Sequence, residues 1–388
     1  MYPVQLREME RTSRNIRYID NGNVLSVLPA FSNFVYSALI PTICAFGIIG
    51  NLICLVVLSK MQKRCSFYVY LSVVATANFL TCIVLFVSGL SRGLLSNHGN
   101  WETLDSLIFL PIGECLNCIS ACATVFVTID RLIYLKKPTQ TFKPKFCKRG
   151  VAGRIMLFIA CGSAVYVLPY CFVYKLGENW TVEKTPFYDS IYFTIYNWLD
   201  VCLLAVVPAI VLSIGNTMLF LSIRNACQIL KDCQSKVCNG KIRVIVDQTK
   251  ITITLVAIVF VHLIGEVPAH FTRRITSANI LFGGDDKQAE DSVIMEYFRV
   301  ATTLLNALHL AMKFILYANF CPPFCKALKN CVCLKKHRKF NRTTVKLYLI
   351  EINFLATLEK CAKECSQIKI FDSLVGKSSA LRVQNILC

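Results

Sequence analysis

The chain has 388 residues, 55% of them hydrophobic and only 17% charged, with a formal net charge of +19. Soluble domains carry about 25% charged residues, so the balance excludes an ordinary water-soluble domain and favours a membrane protein. The mean hydropathy of +0.53 agrees.

Residues 1–34 are mixed and basic, with Arg7, Arg11, Arg14 and Arg17 interleaved with Glu8, Glu10 and Asp20. They are expected to form an extracellular arm. The first apolar run is too long for the core of a cleavable signal peptide, so the first span is expected to act as a signal anchor. A spanning helix needs about 20 mostly apolar residues. Candidate spans fall at 35–59, 67–91, 105–130, 151–174, 191–223, 250–272 and 299–319. The expected fold is an all-α membrane protein: a seven-transmembrane helix bundle over 35–319, then a cytoplasmic tail over 320–388. Span 5 is longer than a bilayer needs, so its end is expected to project into water.

Lys and Arg set the expected orientation. They concentrate after spans 1, 3, 5 and 7, with Lys60, Lys63 and Arg64 first and Lys335, Lys336, Arg338 and Lys339 last. The other side carries acids such as Glu102, Glu178, Asp189 and Asp285. The N-terminus is therefore expected outside and the C-terminus inside. Bases beside spans are explained by anionic membrane lipids, not by nucleic acid.

The 21 cysteines lie mostly inside spans or in cytoplasmic segments, which does not suit a secreted disulfide framework. Cys321, Cys325, Cys331 and Cys333 cluster among basic residues after span 7, a context that suits palmitoylation. Asn179-Trp180-Thr181 is a sequon on the expected outer side; Asn341-Arg342-Thr343 falls inside and is expected to stay bare. Residues 346–360 place Leu347, Ile350, Phe354 and Leu358 on one helical stripe, a candidate amphipathic helix. No phosphate loop, nucleophile motif or metal-spaced His pair is present, and the histidines at 98, 262, 270, 309 and 337 are scattered. Neither an enzyme nor a cofactor or metal is expected.

Several landmarks fall in one order. Gly50-Asn51 lies in span 1 and Leu71-Ser72-Val73-Val74-Ala75-Thr76-Ala77-Asn78 in span 2. Span 3 ends in Asp130-Arg131, with Pro138 in the following loop. Pro208 lies in span 5, Gly265-Glu266-Val267-Pro268 in span 6 and Lys313-Phe314-Ile315-Leu316-Tyr317 in span 7. The set resembles a rhodopsin-class G-protein-coupled receptor. Leu168-Pro169-Tyr170-Cys171-Phe172-Val173-Tyr174-Lys175 at the exit of span 4, and an aromatic where span 7 usually has proline, look closest to invertebrate, nematode-like FMRFamide-type peptide receptors.

The resemblance implies a plasma-membrane receptor that hands ligand binding to a heterotrimeric G protein. It implies that Asp130 pairs with Arg131, that activation releases the arginine, that Tyr317 moves toward span 3, and that Pro208 and Pro268 permit kinks so that span 6 swings. It also implies a peptide ligand, of the amidated Arg-Phe type. Glu114, Asp200 and Glu266, flanked by Phe109, Tyr192, Tyr196 and Trp198, would meet such a cation. Each landmark has a plainer reading too: a snorkelling arginine, an ordinary membrane-helix proline, an interfacial tyrosine.

The chain also departs from the family's pattern. Asn78 stands for an Asp and Lys313 for an Asn, two positions of the family's sodium pocket. The Lys313 ammonium is expected to replace the ion, with Asn78 and Ser120 as neutral acceptors. A buried lysine needs a partner; Glu266 is the candidate, and Glu266, His309 and Lys313 are expected to form an interior polar cluster with Asn51, Asn78 and Ser120. The family's span-3 disulfide is expected to be absent, because its position is Ser106 and residues 172–201 hold no cysteine. Competing readings are a non-signalling or constitutively active descendant, and a solute transporter.

Overall fold

The computed structural model describes residues 27–61, 65–96, 100–136, 147–233 and 239–333. The candidate tail helix over 346–360, Asn341, Pro138 and most of the N-terminal arm lie outside them. By compactness the chain divides into Met1–Lys329 and Asn330–Cys388, and the spans belong to the first unit.

Among the described residues, seven helices are long and apolar enough to cross a membrane: Phe31–Met61, Ser66–Arg92, Asp105–Tyr134, Arg149–Phe172, Ile191–Ser222, Thr249–Phe271 and Val293–Phe320. They are spans 1 to 7. Such helices suit a bilayer because each satisfies its own backbone hydrogen bonds. Span 1 packs on spans 2 and 7, span 2 on span 3, span 3 on spans 4 and 5, and span 6 on spans 5 and 7. Span 4 is peripheral, with 17% of its most apolar window buried against 50% in spans 6 and 7. Its outward side chains are apolar, including Leu157, Phe158 and Val165. The polarity is inverted relative to a soluble protein: Asn51, Asn78, Asp130, His262, Glu266, His309 and Lys313 are all buried.

Prolines shape three spans in one way. A π-helical turn over Val35–Leu39, Asp105–Phe109 and Val201–Val206 stands just ahead of Pro41, Pro111 and Pro208. Proline has no N–H, and its ring collides with the carbonyl four residues earlier. The wider π turn moves that carbonyl away. The kink expected at Pro208 is thus taken up by a change of helical register, whereas Pro268 sits inside a continuous helix, Asn239–Phe271. At Leu168 span 4 tightens into a 3-10 turn, with Pro169 at its start. Between the expected spans 5 and 6 the chain is partly helical, because the span-5 helix runs on to Cys233 and the span-6 helix starts at Asn239.

The one addition to an all-helical plan among the described residues is a hairpin after span 4. Strand β1 (Tyr174–Leu176) pairs antiparallel with β2 (Val182–Lys184), Lys175 facing Glu183. The hairpin marks one end of the bundle; Asp130 and Arg131 mark the other. Val173, Tyr188, Phe193 and Tyr196 form a buried, mostly aromatic cluster, with Tyr174 of β1 packed against it. Near the place where the family carries its span-3 disulfide, this chain has a neutral tie: Thr103 Oγ1 donates to the Trp180 carbonyl at 2.6 Å.

Candidate functional site

A cavity of about 190 Å³ opens at the hairpin end. Spans 1, 2, 3 and 7 line it, with Ala269 of span 6. Its polar walls are Arg92, Asp105, Glu114, Asn117 and Asn306. Arg92, at the last turn of span 2, donates from Nε to Asp105 Oδ2 at 2.8 Å. That bond meets the need of a carboxylate that is almost wholly buried. Asn306 differs: its Oδ1 is buried with no hydrogen-bond partner.

Behind the cavity, Arg273 draws three spans together. It stands just past the end of span 6 and bonds to Glu114 of span 3 through Nη2 and to Asp200 of span 5 through Nη1. Tyr166 of span 4 donates to the other oxygen of Asp200 at 3.3 Å. His270 Nδ1 lies 3.6 Å from Asp200, long for a hydrogen bond. Burial works against the charge on Arg273, but Glu114, Tyr170 and Asp200 hold the guanidinium well above its ordinary pKa. Of the three acids expected to await a ligand's cation, Glu114 and Asp200 are therefore already engaged by an arginine of the same chain, and Glu266 is not. Sequence reasoning missed Arg273, Arg92 and Asp105. Two carboxylates in facing spans were the available signal that a cation had to be nearby.

Halfway through the bundle, Lys313 is fully buried, and its Nζ donates to Asn78 Oδ1 at 3.1 Å. Ser120 Oγ donates to the same oxygen at 3.0 Å, so Ser120 is a donor here and not an acceptor for the lysine. Asn51 lies apart from them, donating to the Gly47 and Leu310 carbonyls at 2.9 and 3.1 Å. Glu266 does not form an ion pair with Lys313. Its Oε2 lies 3.7 Å from His309 Nε2, and the His262 and His309 rings are 5.6 Å apart. The expected three-residue cluster is thus two adjoining groups, one around Asn78 and one around His309.

At the other end, Asp130 accepts a hydrogen bond from Ser66 Oγ at 2.6 Å. The Arg131 guanidinium lies over the Phe67 ring, 3.6 Å from its centre, a cation–π contact. Tyr317 is buried, stacks on Phe324 at 5.6 Å, and has no hydrogen-bond partner for its hydroxyl.

The remaining candidates scatter. Tyr196 packs in the aromatic cluster behind Asp200. Trp198 and Tyr192 face outward, so neither reaches the cavity; the inward face of span 5 carries Phe193, Tyr196, Asn197 and Asp200. Phe109 does line the cavity. Of Asn179 only the backbone is described, at the hairpin turn. Cys321 is buried, and burial pushes its thiol up to about 11, so it makes a poor acylation site. Cys325 Sγ lies 2.7 Å from the Ala318 carbonyl, Cys331 is half-buried, and the Cys333 side chain is outside the described set.

A family model for the "Serpentine type 7TM GPCR chemoreceptor Srx" matches residues 42–239. The "Probable G-protein coupled receptor B0563.6" of Caenorhabditis elegans is 23% identical over 223 residues, 53% of this chain and 50% of that protein. The "C-C chemokine receptor type 6" of Homo sapiens is 21% identical over 307 residues, 76% of this chain and 77% of the receptor. The chain thus spans about half the length of the first of these curated relatives and about three quarters of the second.

Proposed function

Because this chain belongs to the family of serpentine 7TM G-protein-coupled chemoreceptors named Srx, and so is a multi-pass membrane receptor, we propose that it detects a small ligand at its hairpin end and signals from its Asp130–Arg131 end. The hairpin end is extracellular and the receptor sits in the plasma membrane, with the N-terminus outside and the tail inside, where membrane lipids meet the basic segments. The positive-inside distribution of Lys and Arg supports this.

One observation carries the mechanism. Glu114 lines the cavity and also bonds to Arg273 at the end of span 6. A ligand that presents an amine or guanidine head group to Glu114 competes with Arg273 and loosens span 6 from span 3. Asn306 Oδ1 offers a second acceptor. A cavity of about 190 Å³ holds one such head group or side chain, less than the 300–1,000 Å³ of a drug-sized pocket. An amidated Arg-Phe peptide fits this reading only by inserting its arginine in place of Arg273. Span 6 then swings, Arg131 leaves Phe67, and a heterotrimeric G protein binds. Lys313 takes the role of an internal cation beside Asn78, which makes ligand affinity independent of sodium.

The test is a G-protein reporter in cells displaying the receptor, challenged with small amines and with amidated peptides. A saturable response that is lost in Arg131→Ala and weakened at least tenfold in Glu114→Gln, at equal surface expression, supports the proposal. A response that survives Arg131→Ala overturns the role given to Arg131, and no response to any cationic ligand despite good display overturns the proposal in favour of a non-signalling or constitutively active descendant. Solute flux through the receptor would instead favour the transporter.

A further inference from the structure

We propose that His262, Glu266 and His309 form a site for a divalent transition metal, zinc by its donor set, that cross-links span 6 to span 7. His262 and Glu266 are four residues apart on one helix and so share a face. His309 comes from span 7, and it reaches them because position 265 is glycine. A Cβ at Gly265 would sit 2.5 Å from His309 Cβ, closer than two such atoms approach, so only glycine allows this crossing. One donor atom from each of the three side chains lies within 4.8 Å of the other two.

The donors are buried and underused. The three residues are 3%, 5% and 3% exposed, and the Nδ1 atoms of His262 and His309 have no hydrogen-bond partner. His309 Nε2 and Glu266 Oε2, at 3.7 Å, are too far apart for a hydrogen bond. Buried polar groups left in this state cost stability unless something completes them. Two imidazoles and one carboxylate are a recognised zinc donor set with a fourth position open, at bond lengths of about 2.0–2.2 Å. Bonds of that length around a tetrahedral ion put donors about 3.3 Å apart, so rotation of the side chains by roughly an ångström closes the set.

Two further features bear on occupancy. Ala269 and Asn306, which line the cavity, lie one turn from Glu266 and His309, so the cavity floor stands one turn from the site. Glu266 keeps 7% of its side-chain surface accessible. Lys313 opposes the metal, because its ammonium is a like charge one turn along span 7; it is drawn to the span-2 side by Asn78 Oδ1. The zinc set was invisible in the sequence because its histidines stand on different helices.

The experiment uses the purified full-length receptor in detergent, stripped with a chelator and titrated with Co²⁺ as a visible probe. One equivalent should bind, with absorption typical of a four- or five-coordinate nitrogen and oxygen site, and should raise the thermal midpoint; Zn²⁺ should displace it. His309→Gln and Glu266→Gln should abolish the spectrum. Lys313→Met should tighten Co²⁺ binding about tenfold by removing the like charge. Absence of Co²⁺ absorption in the parent receptor overturns the proposal. So does a spectrum with thiolate charge-transfer bands that both Gln variants retain, which would put the metal on cysteines. If the Gln variants do not survive purification, Lys313→Met decides, and unchanged Co²⁺ affinity there overturns the site. No readout involves a G protein, so failure here leaves the signalling proposal standing.

Discussion

At the hairpin end of the bundle, charges touch their opposites: Arg92 meets the buried Asp105, and Arg273 meets the half-buried Glu114 and the buried Asp200. In the middle of the bundle they do not. Among the described residues, Glu266 has only an imidazole 3.7 Å away, and Lys313 has only the amide oxygen of Asn78. The first region is electrostatically closed and holds spans 2 to 6 in register. The second is open, and an open set of ionisable groups inside a membrane protein is a functional suspect by default. The difference separates charges that build the fold from charges available for binding.

Substitution of Arg273 tests the closed region and carries the largest expected effect. Arg273→Met leaves the buried Asp200 and the half-buried Glu114 without their cation, and stranding a buried charge such as Asp200 costs about 3–5 kcal/mol. The thermal midpoint of the purified receptor should fall sharply. Adding Glu114→Gln and Asp200→Asn should restore much of the loss, since the stranded charges are what cost stability. A neutral Arg273→Met would mean that the hairpin-end network is not electrostatically closed.

Gly265→Val probes how tightly the open region is held. The new side chain must displace His309, and overpacking of this kind costs about 1–3 kcal/mol. Gly153→Val is the control, because nothing lies within 4 Å of a Cβ there. The two variants should differ in thermal midpoint, with only Gly265→Val destabilised. Equal behaviour would mean that spans 6 and 7 separate readily at His309.

Lys313→Met should have the opposite sign from Arg273→Met. The lysine has a neutral acceptor in place of a carboxylate, and replacing poorly compensated buried charge by apolar volume stabilises by about 1–2 kcal/mol. Ser120 still satisfies Asn78 Oδ1 after the change. A metal-free receptor with a higher midpoint in Lys313→Met than in the parent would sharpen the contrast between the regions; a large loss would show that Glu266 and Lys313 act as a pair despite not touching.

The spans were legible because long apolar windows have one use in this composition. The Asn78–Lys313 contact was legible too, because two departures at facing positions pointed at each other. Arg273 was not, since an arginine just past a span reads as an interfacial charge. Its role depends on Glu114 and Asp200 arriving from other helices. Trp198 was misread for want of helical phase: two residues before Asp200, it must lie on the far side of span 5, whereas Tyr196 and Asn197 share the inward face. The hairpin escaped notice because strands of three residues leave no periodic signal. The His262–His309 meeting escaped because it rests on a glycine whose neighbour is distant in sequence.

The smallest expected effect concerns a neutral tie at the hairpin end. Thr103 donates to the carbonyl of Trp180, a residue with φ of 60° in the left-handed region that bulky side chains avoid. The hydrogen bond opposes the strain, so Thr103→Val should cost about 1 kcal/mol. Trp180→Gly removes the strain at an exposed side chain and should return a similar amount. The double variant should therefore melt near the parent, because glycine holds the turn without help. A full loss in the double variant would show that Thr103 anchors the end of span 3 itself, and that the hairpin end depends on a neutral contact as much as on its charges.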